Sequence, residues 1–349
     1  MPQTLTVVHA PIGGAASGTP EVSAAVSEAA RVALAGDVVS DSYAVAHAGM
    51  LSLVLLHGAG EGDAGAHRAA WDALEAGTDA ARALGGTGLG DGLPVDAFTG
   101  SLRGTGISVA EVVLTERPSG PVVVLLASGV SLGVLNLPLA RAFADPFTTA
   151  RLVESPSLRR GFIFEVHDLD EPRKRMFAAP AELHDLLAVL AESDRYLLRS
   201  IVSAEGGVTA VASSSRRAEV IPGARDDAPV AIVRTGGDAP LLEELLAAFA
   251  TPQIMVGADG ALTSLLPAGI EDDVSPGMPS VVALGFHLAG QRLLPPADLF
   301  AGAAFEGTRR KARNVASLLR AQGAFAPRTV RGDEGASGSA GDAERWSER

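Results

Sequence analysis

Short apolar runs with the spacing of β-strands recur along this chain and constrain its fold more than any other feature. The first run is "TLTVVHA" at residues 4–10, and residues 37–58 contain two more runs separated by a break near Ala48–Gly49. Such a break between two apolar runs is typical of a β-hairpin. Further runs occur in "GISVAEVVLTER", "GPVVVLLASG" and "RGFIFEVHDL", and a second hairpin is indicated at Gly206–Gly207. The pattern predicts sheets built largely from hairpins.

Long helical stretches interrupt these strands. In residues 19–36, Thr19 is a predicted N-cap, Pro20 fits the first helical turn and Gly36 suits the C-terminal stop. Residues 63–85 predict a second long helix, and "DAPLLEELLAAFA" and "FEGTRRKARNVASLLRAQG" have amphipathic helical periodicity. Strand hairpins interrupted by helices favour a layered α/β fold in which sheets pack together and helices cover them.

The chain reads as one domain followed by a tail. No linker is evident before residue 330, so residues 1–330 are predicted to form a single domain. Residues 331–349 are rich in glycine, serine and charged residues, a composition that predicts a disordered acidic tail.

Charge and composition exclude several classes of partner and site. The net charge is −13 at pH 7 and the isoelectric point is about 5.0, whereas nucleic acids and anionic membranes attract basic surfaces. The absence of cysteine excludes disulfides, thiolate metal sites and cysteine nucleophiles. The first residues do not resemble a signal peptide, and no apolar stretch approaches the ~20 residues of a membrane span. These features predict a soluble cytoplasmic protein that binds neither nucleic acid nor membrane.

Short catalytic motifs fail when their context is examined. "GTGLGDG" has the glycines of a dinucleotide-binding loop but follows a helix rather than a strand. No Gly-Lys-Ser/Thr phosphate loop occurs, "ASGVSLG" is not a nucleophile elbow, and the seven histidines include no His-x-x-x-His pair. Spacing therefore predicts no metal site and no cofactor. Lys174 and Lys311 are the only lysines, which limits Schiff-base chemistry.

Longer strings carry a more specific signal. "DAFTGSLRGTGISVAEVVLTERPSGPVVVLLA", "NLPLARAFADPFTTARLVESPSLRRGFIFEV" and "VVALGFHLAGQRLLPPADLF" resemble the archaeal-type fructose-1,6-bisphosphate aldolase/phosphatase family. The resemblance runs from residue 3 to about 330. It implies a single-domain, four-layer α-β-β-α sandwich that assembles as a homo-octamer. It also implies condensation of two triose phosphates through a lysine Schiff base, followed by removal of one phosphate with Mg²⁺.

The same resemblance breaks down at the family's chemical centre. The family's first acidic ligand is Pro11 here, its Asp-Asp pair is Met50–Leu51, and its Schiff-base lysine falls at Asp226. This chain also differs at other positions where the family binds metal or substrate. Its residues there are Gly18, Thr87, Asp91, Ser128, Gly129, Gly223 and Ala228. Because Mg²⁺ needs oxygen ligands and a Schiff base needs an amine, the sequence predicts a divergent member without aldolase or phosphatase activity.

Polar residues that map to strand ends around the family's cavity form the candidate site. Predicted catalytic residues are His9, His47, Asp91, Asp227 and His287; predicted substrate-binding residues are Met50, Asp96, Arg103, Ser128 and Asn136. Imidazole suits proton transfer near neutral pH. A structural role competes at His47, which can simply hold a strand end, and at Asp96, Arg103 and Asn136, which can satisfy buried polar groups.

Two functional hypotheses follow. The first is a repurposed, metal-independent enzyme of lyase, isomerase or cyclase type that uses His/Asp acid–base chemistry on a small molecule, in specialised metabolism. The alternative is a non-catalytic pseudoenzyme that serves as a ligand-binding protein or an oligomeric scaffold. Both hypotheses expect a homo-oligomer, an octamer by resemblance. An open pocket with a histidine close to Asp91 or Asp227 favours the first, and a pocket closed by Met50 and Leu51 favours the second.

Overall fold

The computed structural model of the protein describes most of the chain. It describes residues 2–12, 19–86, 98–103, 105, 107–114, 120–129, 132–193, 195–213, 229–249, 253–256, 262–272, 274, 278–322 and 347–348. Within these ranges, no helix combines the length and the apolar character needed to cross a membrane.

The first sheet has four antiparallel strands. They are β1 (Gln3–Pro11), β2 (Asp41–His47), β3 (Met50–His57) and β4 (Ser108–Leu114), in the spatial order β2-β3-β1-β4. The predicted hairpin joins β2 to β3 through Ala48 and Gly49, and both residues have positive φ, at 51° and 78°. Positive φ at both central residues is the conformation of a type I′ turn, one of the two favoured turns of two-residue hairpins.

Two helices cover one face of this sheet. They are α1 (Pro20–Ala33) and α2 (Ala64–Ala83), and the side chains of Thr19 and Asp63 cap their first turns. Their buried residues pack against Leu51, Leu53 and Leu55 of β3. The predicted N-cap at Thr19 is therefore confirmed.

The second sheet is larger and mostly antiparallel. Its strands are β5 (Val122–Ser128), β6 (Phe162–Asp168), β7 (Arg173–Ala179), β8 (Tyr196–Ser203), β9 (Val208–Ala212), β10 (Val230–Arg234), β11 (Gln253–Val256), β12 (Leu262–Pro267), β13 (Ser280–Phe286), β16 (Ala297–Asp298) and β17 (Ser347–Glu348). The spatial order is β11-β12-β13-β5-β10-β9-β8-β6-β7-β17, and β16 pairs with β13. A short hairpin of β14 (Leu288–Ala289) and β15 (Arg292–Leu293) follows β13.

A second helical layer covers the outer face of this sheet. Its helices are α3 (Asn136–Ala144), α4 (Arg151–Glu154), α5 (Leu183–Leu190), α6 (Leu242–Phe249) and α7 (Glu306–Gln322), with short 3-10 helices at Leu132–Leu135 and Ala303–Phe305. Residues of α3, α5 and α6 join one buried cluster with the outward-facing residues of β5, β6 and β10, such as Leu125, Phe164 and Ala231.

The remaining apolar faces of the two sheets meet each other. Val7 of β1 and Val54 of β3 share a buried cluster with Val124 of β5, Ile232 of β10 and Val282 of β13. Alternate residues of each strand point to opposite faces of the sheet. Both faces of each sheet carry buried apolar residues, and each sheet therefore needs cover on both sides. The predicted α-β-β-α sandwich is confirmed.

The predicted boundary between the domain and the tail at residue 330 stays a prediction. Residues 323–346 fall outside the described ranges. Beyond them, Ser347 and Glu348 pair with Lys174 and Arg173 at the edge strand β7.

Candidate active site

A small cavity lies where one end of the first sheet meets the second. The first sheet contributes His9 from β1, His47 from the end of β2, and Met50 and Ser52 from β3. The second sheet contributes Leu126, Ser128 and Val282, and Ile270 follows β12. The cavity has a volume of about 10 Å³, measured as the space open to the centre of a water molecule.

His9 joins three strands across the sandwich. Its Nδ1 lies 2.8 Å from Ser52 Oγ, and its Nε2 lies 3.2 Å from the carbonyl oxygen of Ala127. Because a carbonyl only accepts hydrogen bonds, Nε2 carries the ring proton, and Nδ1 accepts from the Ser52 hydroxyl. Burial lowers the pKa of His9 to about 4; the hydrogen bond to Ala127 opposes this shift, and the charge of His47 adds to it. His9 is thus a neutral side chain with both nitrogens engaged.

His47 differs from His9 in the hydrogen bonding of its ring nitrogens. Its Nε2 is buried and has no hydrogen-bond partner among the groups that the structure describes. Burial lowers the pKa of His47, while a hydrogen bond with the Ile270 backbone and the charges of Asp272 and Asp298 act in the opposite direction. Of the two imidazoles in the cavity wall, His47 is therefore the one with a nitrogen that the described part of the chain leaves available to a ligand.

The rest of the wall is neutral. Ser128 Oγ lies 3.0 Å from Ser280 Oγ, so these hydroxyls bond to each other. Met50 is 6% exposed, and Leu126 and Val282 are also buried. No carboxylate lines this cavity in the part of the chain that the structure describes.

The Mg²⁺ that the family resemblance implies does not fit this set of donors. Mg²⁺ binds through carboxylate and other hard oxygen ligands in octahedral geometry. The cavity offers imidazole, thioether and hydroxyl groups, and no group of three or more His, Asp or Glu residues suited to a metal ion occurs within the described ranges.

The structure brings together four of the ten residues predicted for the site. His9, His47, Met50 and Ser128 line the cavity. His287 does not line the cavity. It is exposed and follows Phe286, the last residue of β13, whereas the cavity lies near the first residue, Ser280, which pairs with Ser128. The seven residues of β13 span roughly 20 Å. Asp91, Asp96 and Asp227 lie outside the described residues.

Asn136 and Arg103 make contacts elsewhere. Asn136 is buried at the start of α3, where its amide donates to the Tyr196 carbonyl at 2.7 Å and accepts from the Leu198 backbone at 2.9 Å, so it fastens α3 to β8. Arg103 forms a short ion pair with Glu111 on the helix-covered face of the first sheet.

Glu111 is the centre of a polar cluster that the sequence reasoning missed. His67 Nε2 of α2 donates to it at 3.2 Å, Thr6 of β1 donates at 3.0 Å, and the Gly62 backbone donates at 3.1 Å. Burial alone raises the pKa of Glu111, but the hydrogen bonds from His67 and Gly62 and the charge of Arg103 outweigh it and lower the pKa to about 2. The available signal was a single glutamate inside the apolar run "SVAEVVL".

The comparisons with known proteins cover nearly the whole chain. A family model described as fructose-1,6-bisphosphatase matches residues 3–340. A fructose-1,6-bisphosphate aldolase/phosphatase of Moorella thermoacetica is 38% identical over 333 residues, which cover 93% of this chain and 87% of the relative. The protein of the same name from Ignicoccus hospitalis is 38% identical, and the match covers 93% of this chain and 86% of the relative. The one from Thermus thermophilus is 37% identical, and the match covers 94% of this chain and 93% of the relative.

These relatives contradict the predicted loss of activity. Proteins that share 33–38% identity with this chain over most of its length carry the name fructose-1,6-bisphosphate aldolase/phosphatase. The sequence prediction of a repurposed metal-independent enzyme or a pseudoenzyme was wrong because it weighed single positions against the agreement of the whole chain. Several of those positions, including Asp91 and Asp226, also lie outside the described residues.

Proposed function

The chain belongs to the fructose-1,6-bisphosphatase family, and we propose that it is an enzyme that acts on fructose 1,6-bisphosphate. The observation that carries the proposal is the extent of the likeness. The family model matches residues 3–340, and relatives named fructose-1,6-bisphosphate aldolase/phosphatase align with this chain over most of their length. The reaction to measure first is hydrolysis of one phosphate ester, which yields a fructose monophosphate and inorganic phosphate.

The aldolase half of the relatives' name calls for a separate measurement. Lys174 lies on β7, five strand positions from β5 in the second sheet, where its Nζ lies 3.4 Å from Glu165. With about 4.8 Å between neighbouring strands, this distance is too large for Lys174 to reach the cavity. Lys311 lies on α7 in the outer helical layer. An aldol step through either lysine therefore does not take place at this cavity.

We assign different roles to the two histidines of the cavity. His9 is a positioning residue because both of its ring nitrogens are bonded to the protein and its pKa keeps it neutral. His47 is the candidate for proton transfer, since its Nε2 has no partner among the described groups. Neutral imidazole accepts a proton, so a lowered pKa of His47 keeps it in the accepting form at neutral pH.

The experiment compares phosphate release from fructose 1,6-bisphosphate by the full chain and by its variants, over a range of Mg²⁺ concentrations. Condensation of glyceraldehyde 3-phosphate with dihydroxyacetone phosphate is measured in parallel. We expect phosphate release by the wild type, a loss of about 100-fold or more in kcat for His47→Gln, and wild-type rates for His184→Gln. His184 is an exposed residue of α5, far from the cavity, and makes a matched control.

The results can contradict the proposal in two ways. If the wild type neither releases phosphate nor condenses the triose phosphates at any Mg²⁺ concentration, the proposed substrate is wrong. If His47→Gln and His184→Gln both keep the wild-type rate, the role of His47 is wrong while the substrate assignment stands. Purifying all three proteins identically controls for phosphatases of the expression host, because such a contaminant contributes equally to each.

A further inference from the structure

The polar groups around the cavity leave a specific set of hydrogen-bonding positions unused. His9 has none left, because both nitrogens are engaged. Ser128 and Ser280 share one hydrogen bond, so one of their two hydroxyl protons stays available. His47 Nε2 is buried within the wall and has no partner among the described protein groups. A small ligand in the cavity thus meets one imidazole nitrogen and at least one hydroxyl.

The size of the cavity limits that ligand. Space of about 10 Å³ for the centre of a water molecule is close to the minimum that holds a single water. A buried water typically makes two to four hydrogen bonds to groups that lack other partners. The number of free positions and the volume both match one water molecule.

The charge of the wall argues against a cation in the same place. The described lining residues carry no carboxylate to offset two positive charges, and removing a cation from water is unfavourable without such partners. The surroundings also disfavour positive charge on the side chains themselves, since burial lowers the pKa of both His9 and His47. Met50 adds a soft thioether, which suits Mg²⁺ poorly.

We infer that the cavity between His9, His47 and Ser128 holds one ordered water molecule, hydrogen-bonded to His47 Nε2, and takes no divalent cation. This assignment departs from the metal centre that the family resemblance implies. It does not rest on turnover of fructose 1,6-bisphosphate, because the cavity volume and the hydrogen bonds from which it is argued involve no substrate.

Crystallography of the full chain in MnCl₂ tests the inference directly. Anomalous diffraction at the manganese absorption edge locates Mn²⁺, a stand-in for Mg²⁺, and the ordinary map locates ordered water. We expect one solvent peak about 2.7–3.2 Å from His47 Nε2 and no anomalous peak inside the cavity. An anomalous peak there overturns the inference, and so does a cavity without solvent density.

A titration in solution gives a second readout that needs no crystals. Electron paramagnetic resonance counts the Mn²⁺ ions bound per chain for the wild type, His47→Gln and the control His184→Gln. We expect the same count for all three proteins, whether that count is zero or more. A loss of one bound Mn²⁺ in His47→Gln, with the control unchanged, overturns the inference. Because neither measurement uses the sugar phosphate, its outcome is distinguishable from failure of the proposed function.

Discussion

At the scale of single residues, the sequence located His9 but not the partners that define its chemistry. His9 was selected because it maps to a strand end around the family's cavity, but Ser52 was not, because a serine in "MLSLVLLH" carries no signal on its own. The two residues meet because the β1–β3 register places His9 directly opposite Ser52. That register depends on the fold of the whole sheet, and so does the approach of Ala127 from the second sheet.

Protonation of His9 should link stability to pH. Its pKa is lowered from 6.5 to about 4, so below pH 6.5 the unfolded chain binds a proton that the folded chain excludes. The free energy of unfolding should therefore fall as the pH drops from 6.5 to 4, by up to about 3 kcal/mol from this residue, and His9 should contribute no further slope below pH 4.

Urea unfolding of the wild type and His9→Gln across pH 4–8 measures this linkage. His47 and His57 also have lowered pKa values and contribute to the slope of both proteins, so the difference between the two curves isolates His9. We expect that difference to change steadily between pH 6.5 and 4. Two curves that stay parallel over this interval would show that His9 is not held neutral by burial.

At the scale of elements, hairpins and helices follow local patterns, and the order of strands in the sheets does not. The turns at Ala48–Gly49 and Gly206–Gly207 were readable because they combine glycine with flanking apolar runs. The position of β5 between β13 and β10 was not, since these strands are more than 100 residues from it in the chain. This long-range pairing brings Ser128 and Ser280 together and creates one wall of the cavity.

The polar cluster around Glu111 holds several elements together. It joins α2, β1, β4 and the segment that carries Arg103. Glu111→Gln should remove the charge that holds the partly exposed Arg103 and weaken the hydrogen bonds from His67 and Gly62, and so destabilise the fold at pH 7 by about 1–3 kcal/mol. The contribution of the glutamate is present above pH 4.5 and is lost as the pH falls towards 2, since its pKa is lowered to about 2.

Chemical denaturation of Glu111→Gln beside Glu28→Gln checks this expectation. Glu28 forms an exposed pair with Arg31 on α1, and such surface pairs contribute little, so this control should unfold like the wild type. The variants should differ at pH 7 and converge towards pH 2. Equal stability of the two variants at pH 7 would mean that the Glu111 cluster does not hold these elements together.

At the scale of the whole molecule, the layered architecture was predictable because the longer strands and helices, such as β1, β5, α1 and α2, have clear apolar patterns in the sequence. The candidate site was predictable only in part. His9, His47, Met50 and Ser128 converge, whereas His287 was placed in the site by resemblance and lies at the far end of β13. Function was misjudged from the sequence because single substitutions at metal positions were weighted above likeness over nearly the whole chain.

The predicted assembly of the chain into a homo-oligomer also belongs to this scale, and one exposed apolar surface is a candidate interface for it. Phe147 is 66% exposed and Val153 is 57% exposed in the segment between α3 and β6. Arg151 of the same segment donates hydrogen bonds to the carbonyls of Gly237 and Ala239 beside α6. Leu241, which is 42% exposed, follows them closely in the chain. Large apolar side chains exposed close together commonly mark an interface. We expect the full chain to form a homo-oligomer, an octamer by family resemblance, with this surface buried between copies.

Light scattering coupled to size-exclusion chromatography measures the mass against the 35.4 kDa of one chain. Phe147→Asp should lower the mass of the assembly, because a buried unpaired carboxylate opposes association. Val32→Asp is the matched control, since Val32 is also exposed, at 60%, but lies on α1 in the opposite helical layer. A monomeric wild type contradicts the expected assembly. A mass lowered by Val32→Asp and unaffected by Phe147→Asp places the interface on the other face of the sandwich.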